Sequence, residues 1–331
     1  MIRAELSGHY RDDGRYAAAM VNVTNRCNLV CTHCFIYRGG NPNAEPASVR
    51  DELGDAEILE TLVGLRDRHG IVSMLWMGGE PLLRRTLLAA GVRLFPRNTI
   101  TTNGTVPLVD LGAQVLYVVS LDGPEDLNDA LRGKGTYGRV LRNLARLPDD
   151  FASPVQVQCV VTKRNQDRIG ELLAALRATR IGWMTFSFYV PHAHDGSDDA
   201  WATNAERAGA VREVMRLKAL HPGFVRNSTR SLELMLPPVC EQVTAACPSQ
   251  DNVLPLWLEG ERFVTPFCCY GNDVDCARCG AWVVFNLAAK LGFGAGETPS
   301  IDVDGGANTV TPRASTDPEG RRCRKLEESC W

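Results

Sequence analysis

Short apolar runs with strand character alternate with segments of helical spacing over the first two thirds of the chain, and this alternation constrains the fold most. The runs are AAAMVNV (17–23), IVSMLWM (71–77), NTITT (98–102), VLYVVSL (115–121), VQVQCVV (155–161) and WMTFSFYV (183–190). Between them, DAEILETLVGLRDRHG carries Ile58, Leu59, Leu62, Val63 and Leu65 at helical intervals, and YGRVLRNLARL and RIGELLAALRAT repeat the pattern. Strands alternating with helices predict a parallel sheet with right-handed crossovers. Six units are too few for a closed eight-stranded barrel and suit an open or partial one. A further helix is predicted at about 203–220. Beyond it the pattern is interrupted by Pro237, Pro238, Pro248, Pro255 and Pro266. The expected organisation is a barrel over 1–225, a cysteine-rich, mostly irregular C-terminal extension over 226–291, and a flexible tail over 292–331, rich in Gly, Pro, Ser and Thr.

Composition narrows the class. The chain has 331 residues, 44% hydrophobic and 23% charged, which suits a folded globular protein with a large core. A net charge of −3 provides no basic field for nucleic acid or an anionic membrane, and the short RRCRK cluster at 321–325 is offset by Glu327 and Glu328. The N-terminal residues carry charges where a secretory signal needs an apolar run, and no segment has the length of a membrane span. A cytoplasmic location is the expectation.

In that compartment twelve cysteines point to metal more than to disulfides. Cys159, inside VQVQCVV, reads as a small buried hydrophobe. Cys27, Cys31 and Cys34 follow the first strand, at the carboxyl end where parallel barrels build their sites. A zinc site completed by His33 is one reading. Adjacent His33 and Cys34 would strain to reach one ion, however, and three thiolates can hold a [4Fe-4S] cluster with one iron left open.

CNLVCTHC resembles the CxxxCxxC signature of the radical S-adenosylmethionine (radical SAM) enzymes, whose fold is a TIM-like partial (β/α)6 barrel. The resemblance implies a [4Fe-4S] cluster on Cys27, Cys31 and Cys34 whose open iron chelates S-adenosylmethionine. One electron then breaks the sulfur to C5′ bond to give a 5′-deoxyadenosyl radical. GGEP, residues Gly78, Gly79, Glu80 and Pro81, resembles the family element that binds the methionine ammonium. TTNGT, with Thr102 and Asn103, and SLDG, with Ser120 and Asp122, resemble later elements near the cofactor. Arg132 and VVTKRN (160–165) are further candidates for its carboxylate, ribose or adenine. Taken singly, each of these reads as a turn. All four elements stand in family order, each after a strand.

Substrate contacts are expected from FSFYVPHAHDG (186–196), where Tyr189, His192 and His194 are catalytic or binding candidates. A candidate second metal site joins Cys269, Cys276 and Cys279 with Cys247, Cys240 or Cys268, holding an auxiliary iron-sulfur cluster or zinc. Cys323 and Cys330 stand in the tail. CYGNDVDCARCG also resembles the small-molecule branch with hopanoid adenosylating, aminoglycoside diol-dehydratase and nucleoside-antibiotic enzymes. That resemblance implies a sugar, nucleoside or lipid-like substrate in specialised metabolism, and reductive cleavage of the cofactor requires a low-potential electron donor such as flavodoxin or ferredoxin. The alternatives are a ribosomal-peptide maturase with an auxiliary cluster and a non-catalytic iron-sulfur or zinc protein used for sensing. Against the maturase, the segment before Cys27 is short for a leader-binding domain.

Overall fold

The computed structural model describes residues 9–10, 15–37 and 52–294. Six strands fall where the alternation predicts them: β1 (Ala18–Asn22), β2 (Ser73–Met77), β3 (Arg97–Thr102), β4 (Val115–Ser120), β5 (Val155–Val161) and β6 (Met184–Phe188). Each pairs in parallel with the next. Every residue of β1 and β6 is buried, because helices cover one face of the sheet and the barrel interior lies on the other.

The outer layer consists of α1 (Asp55–His69), α2 (Arg85–Gly91), α3 (Glu125–Arg132), α4 (Thr136–Ala145), α5 (Ile169–Arg177) and α6 (Asn204–Leu220). In α1, Ile58, Leu62 and Leu65 form one buried stripe, and Gly70 ends the helix in the left-handed conformation at φ 72°. Thr203 caps α6 by accepting the N–H of Glu206. The outer-layer helices bury their apolar faces in two clusters, one around β1 to β3 and one around β5, β6 and α6.

The stretch after residue 225 holds more regular structure than its sequence announces. It contains α7 (Thr229–Leu234), α8 (Val239–Ala245), α9 (Pro248–Asn252), β7 (Val253–Glu259), β8 (Arg262–Val264) and α10 (Trp282–Lys290). These elements are mostly short, and β7 includes Pro255, so neither periodicity nor composition marks them. β7 pairs in parallel with β1 and β8 antiparallel with β7, giving the sheet order β6-β5-β4-β3-β2-β1-β7-β8. The extension is thus joined to the barrel sheet through its first strand.

The opening beside β6 is covered from the same stretch. Asn227 uses its side chain as a substitute strand, accepting the N–H of Phe186 at 2.8 Å and donating to the carbonyl of Phe186 at 2.7 Å. α10 packs on β6 and α7. Its Val284, Phe285 and Ala288 join the cluster around β6, while Leu287 joins Met20 and Trp257 on the β1–β7 side. One helix therefore bridges the two ends of the partial barrel. The predicted tail lies outside the described residues beyond Gly294, as do Cys323 and Cys330.

Candidate active site

The cysteine loop is fixed by backbone contacts on both sides. Thr32 N–H donates to the carbonyl of Leu131 at the end of α3 (2.9 Å), and Cys34 N–H donates to the carbonyl of Cys31 (3.3 Å). Cys27, Cys31 and Cys34 line one cavity, each within the electrostatic field of the others. Burial pushes the Cys27 thiol up, and pushes Cys31 up to about 11 despite the opposing charge of Arg132. Among the described residues no three His, Cys, Asp or Glu side chains converge on a single metal ion. A [4Fe-4S] cluster takes each thiolate on a different iron, so the donor set suits a cluster better than one zinc.

GGEP meets this loop through the backbone. Gly79 N–H donates to the Thr24 carbonyl at 2.7 Å and Glu80 N–H to the Arg26 carbonyl at 2.8 Å. A Cβ on Gly79 would lie 2.2 Å from the Arg26 oxygen, and one on Gly78 2.6 Å from the Thr24 oxygen. Only glycine leaves this close approach open. The Glu80 carboxylate is fully buried and does not line the cavity. It accepts from Leu82 N–H (3.0 Å), the Thr102 hydroxyl (2.7 Å) and Asn103 N–H (2.8 Å), tying the ends of β2 and β3 together. Burial pushes its acid up against those hydrogen bonds. Pro81 is the first residue of the 3-10 turn that follows.

Asn103 connects TTNGT to the cysteines. Its Nδ2 donates to Asn28 Oδ1 at 2.9 Å and stands 3.8 Å from Cys27 Sγ, while its Oδ1 accepts from the backbone and hydroxyl of Thr105. From SLDG, Ser120 lines the cavity, whereas Asp122 is buried behind it. Asp122 accepts from Arg132 Nε (2.5 Å), His33 Nε2 (2.9 Å) and Val160 N–H (2.8 Å). Burial would raise its acid, but the charges of Arg132 and His33 outweigh that and hold it well below the usual carboxylate range. Arg132 itself faces the cavity. In the stretch after β5, Asn165 donates to the Asp122 and Val160 carbonyls, both at 2.9 Å, and so serves to hold loops.

The cavity has a volume of about 550 Å³ and runs from the cysteines into the barrel, a size suited to a small ligand. Its walls include alternate residues of the strands, among them Thr99 and Thr101 of β3, Gln156 and Gln158 of β5, and Thr185 and Ser187 of β6. Tyr189 reaches it and donates to Asp195 Oδ2 at 2.9 Å, and burial and that carboxylate push its phenol up to about 12. His192 and His194 do not line it; the His192 ring turns back to the carbonyl of Ala193 (2.7 Å). Sequence reasoning overlooked the Gln and Thr residues of the wall, although the alternation of Gln156 and Gln158 with Val155 and Val157 in VQVQCVV is a sign of a lined interior.

A Radical SAM superfamily model matches residues 21–176, the span that carries all four loops. Those residues carry a radical SAM domain. It is 31% identical to the Fe-coproporphyrin III synthase of Methanosarcina barkeri over 53% of this chain and 44% of that one. It is 28% identical to the mycofactocin maturase MftC of Mycolicibacterium smegmatis over 48% of this chain and 43% of that one. The chain thus spans less than half the length of either relative. The structure of Streptococcus suis SuiB bound to S-adenosylmethionine has the same fold, with a TM-score of 0.55 at 16% identity over 74% of this chain and 59% of that one.

This radical SAM chain also gathers most of its second cysteine group. Cys247 lies in the electrostatic field of Cys268, Cys269, Cys276 and Cys279. Burial pushes Cys269 and Cys279 each up to about 12. Cys269 also lines the central cavity. Cys240 is buried on α8, 3.1 Å from Glu241 Oε2, and shares the field of Arg207 with Cys279. Arg207 donates to the carbonyls of Arg278 and Cys279 and so anchors the CxxC turn to α6.

Proposed function

We propose that this radical SAM enzyme cleaves S-adenosylmethionine reductively and turns the resulting radical on a small molecule of specialised metabolism, a sugar, nucleoside or lipid-like compound. The observation that carries the reading is the convergence of Cys27, Cys31 and Cys34 with the Gly78–Gly79 backbone, Asn103 and Arg132 at one end of a single cavity. Bound there, a [4Fe-4S] cluster and S-adenosylmethionine would supply one-electron cleavage of the sulfur to C5′ bond. The three thiolates would hold the cluster. The backbone of Gly78 and Gly79, which lines the cavity, would seat the methionine ammonium, with Glu80 keeping that turn in place from behind. Arg132, paired with Asp122, would meet the methionine carboxylate, and Ser120 and Thr102 would lie near polar groups of the nucleoside. Tyr189 is the candidate for handling a hydrogen or proton at the substrate.

The five clustered cysteines from Cys247 to Cys279 suit an auxiliary iron-sulfur cluster that faces the cavity through Cys269. A low-potential donor such as flavodoxin or ferredoxin would deliver the electron. A peptide substrate is the second reading, favoured by the likeness to a maturase.

Anaerobic reconstitution with iron and sulfide, then dithionite and S-adenosylmethionine, tests the proposal. 5′-Deoxyadenosine should form with wild type and not with the Cys27, Cys31, Cys34 triple alanine variant. A wild type that binds metal and never cleaves the cofactor would make it a metal-binding module.

A further inference from the structure

The cavity is one-sided in charge. Among the described residues that line it there is no Asp and no Glu, whereas Arg132, Arg226 and Lys290 bring three cationic side chains. Arg132 belongs to the cysteine end and is bound to Asp122. Arg226 belongs to the other end. Its guanidinium carbon stands 3.9 Å from the centre of the Trp183 ring, and Trp183 immediately precedes β6 at the amino end of the strand. From Trp183 to Tyr189 at the opposite end is about 20 Å along the strand, at roughly 3.3 Å per residue.

The Arg226 platform is built rather than incidental. Trp183 Nε1 donates to Gln156 Oε1 at 2.8 Å, which fixes the ring. Gln156 and Gln158 each donate to Thr185 Oγ1, at 3.3 and 3.2 Å, so the wall next to the ring is a continuous polar ladder. Arg226 N–H donates to the Met184 carbonyl at 2.9 Å, and the neighbouring Asn227 is locked onto Phe186, which fixes the backbone that carries the guanidinium. No carboxylate of the described residues pairs with Arg226. A guanidinium held over an indole face keeps N–H groups for a planar or tetrahedral anion. From α10, which packs on β6, Trp282, Asn286 and Lys290 recur every fourth residue and line the same cavity.

We propose that the cavity end remote from the cysteines is an anion-binding subsite, in which Arg226 on its Trp183 platform takes a carboxylate or phosphate of the substrate and Asn286 and Lys290 of α10 complete the wall. The subsite rests on the small-molecule reading. It would fix a substrate by its charged end and present the opposite, uncharged part to the radical.

Full-length protein, unreduced and without S-adenosylmethionine, is titrated calorimetrically with octanoate, octyl phosphate and 1-octanol. The expected result is that at least one anion binds ten times or more tighter than the alcohol, the better of the two naming the carboxylate or phosphate source. Arg226→Gln should erase that preference without weakening the alcohol, and Arg226→Lys, which keeps the charge, should retain part of it. Equal binding of anions and alcohol by wild type would overturn the subsite. So would an anion preference that survives in a folded Arg226→Gln protein. If Arg226→Gln fails to fold, loss of the preference in wild type at high salt, or its persistence there, decides in the same sense. The separate 5′-deoxyadenosine assay on reduced wild type reports on the radical reading, so either idea can fail without the other.

Discussion

His33, which lies between Cys31 and Cys34 in sequence, places Nε2 2.9 Å from Oδ2 of Asp122, and that same carboxylate oxygen accepts from Arg132 Nε at 2.5 Å. The cysteine loop, the end of β4 and the end of α3 therefore share one fully buried charge. Asp122→Asn should cost about 3–5 kcal/mol at pH 7, because it leaves Arg132 buried beside a neutral partner. The folded carboxyl is held below its unfolded value of about 3.9, so its contribution is complete above that value and fades as the pH falls further. Urea unfolding of wild type and variant should show a gap that is present at pH 5 and narrows below pH 4.

Gly79→Ala should leave a folded protein that has lost the cofactor seat, since the added carbon would lie 2.2 Å from a backbone oxygen and force the GGEP turn away from the cysteine loop. Equilibrium dialysis of the reconstituted variant against S-adenosylmethionine should show affinity lower by a hundredfold or more. Wild-type affinity in the variant would remove the close approach from the account.

The apo thiols should be slow nucleophiles. With Cys31 pushed up to about 11 by burial, only about one molecule in a thousand carries its thiolate at pH 8, fewer than for a free cysteine. Site-resolved alkylation by iodoacetamide should be slow at Cys31 near neutral pH and accelerate as the pH rises towards 11. Cluster assembly must release these protons, so it should be easier at higher pH.

Cys247→Ala and Cys240→Ala should separate. Cys247 is in the field of four other cysteines, whereas Cys240 is held beside Arg207 and Glu241. Iron counting after reconstitution should show Cys247→Ala losing up to about four irons per chain and Cys240→Ala keeping them. Equal iron in both variants would remove the auxiliary cluster from the cysteine group around Cys247.

Gly91→Ala should destabilise by about 1–3 kcal/mol. The new methyl would lie 2.4 Å from the ring of Trp76, which is fully buried and pinned by its N–H to Asn98 Oδ1 at 2.9 Å, so neither side can yield freely. A lower melting temperature with unchanged iron content is the expected pair of results.

The barrel was legible because its strands are uninterrupted apolar runs and its helices carry stripes such as Ile58, Leu62 and Leu65, patterns set by burial alone. The four loops were legible because their residue types are dictated locally by thiolate chemistry, tight turns and the ends of strands. Glu80 and Asn165 were harder to read, since a carboxylate or amide that clamps two loops has the same composition as one that touches a ligand. His192 and His194 shared the mouth sequence with Tyr189, yet the chain turns after Val190 and leaves both off the cavity.

The sequence by itself determined the parallel sheet, the order of the loops and the residue types at the cysteine end, because each depends on neighbours within a few positions. Only the tertiary structure decided that β7 extends the sheet beside β1, that α10 bridges the two ends of the partial barrel, and that Arg226 and Lys290 line the same cavity. Those facts join residues more than sixty positions apart in the chain or on opposite edges of the sheet, and such contacts arise only when the whole sheet has curved and its remaining apolar surface has been covered.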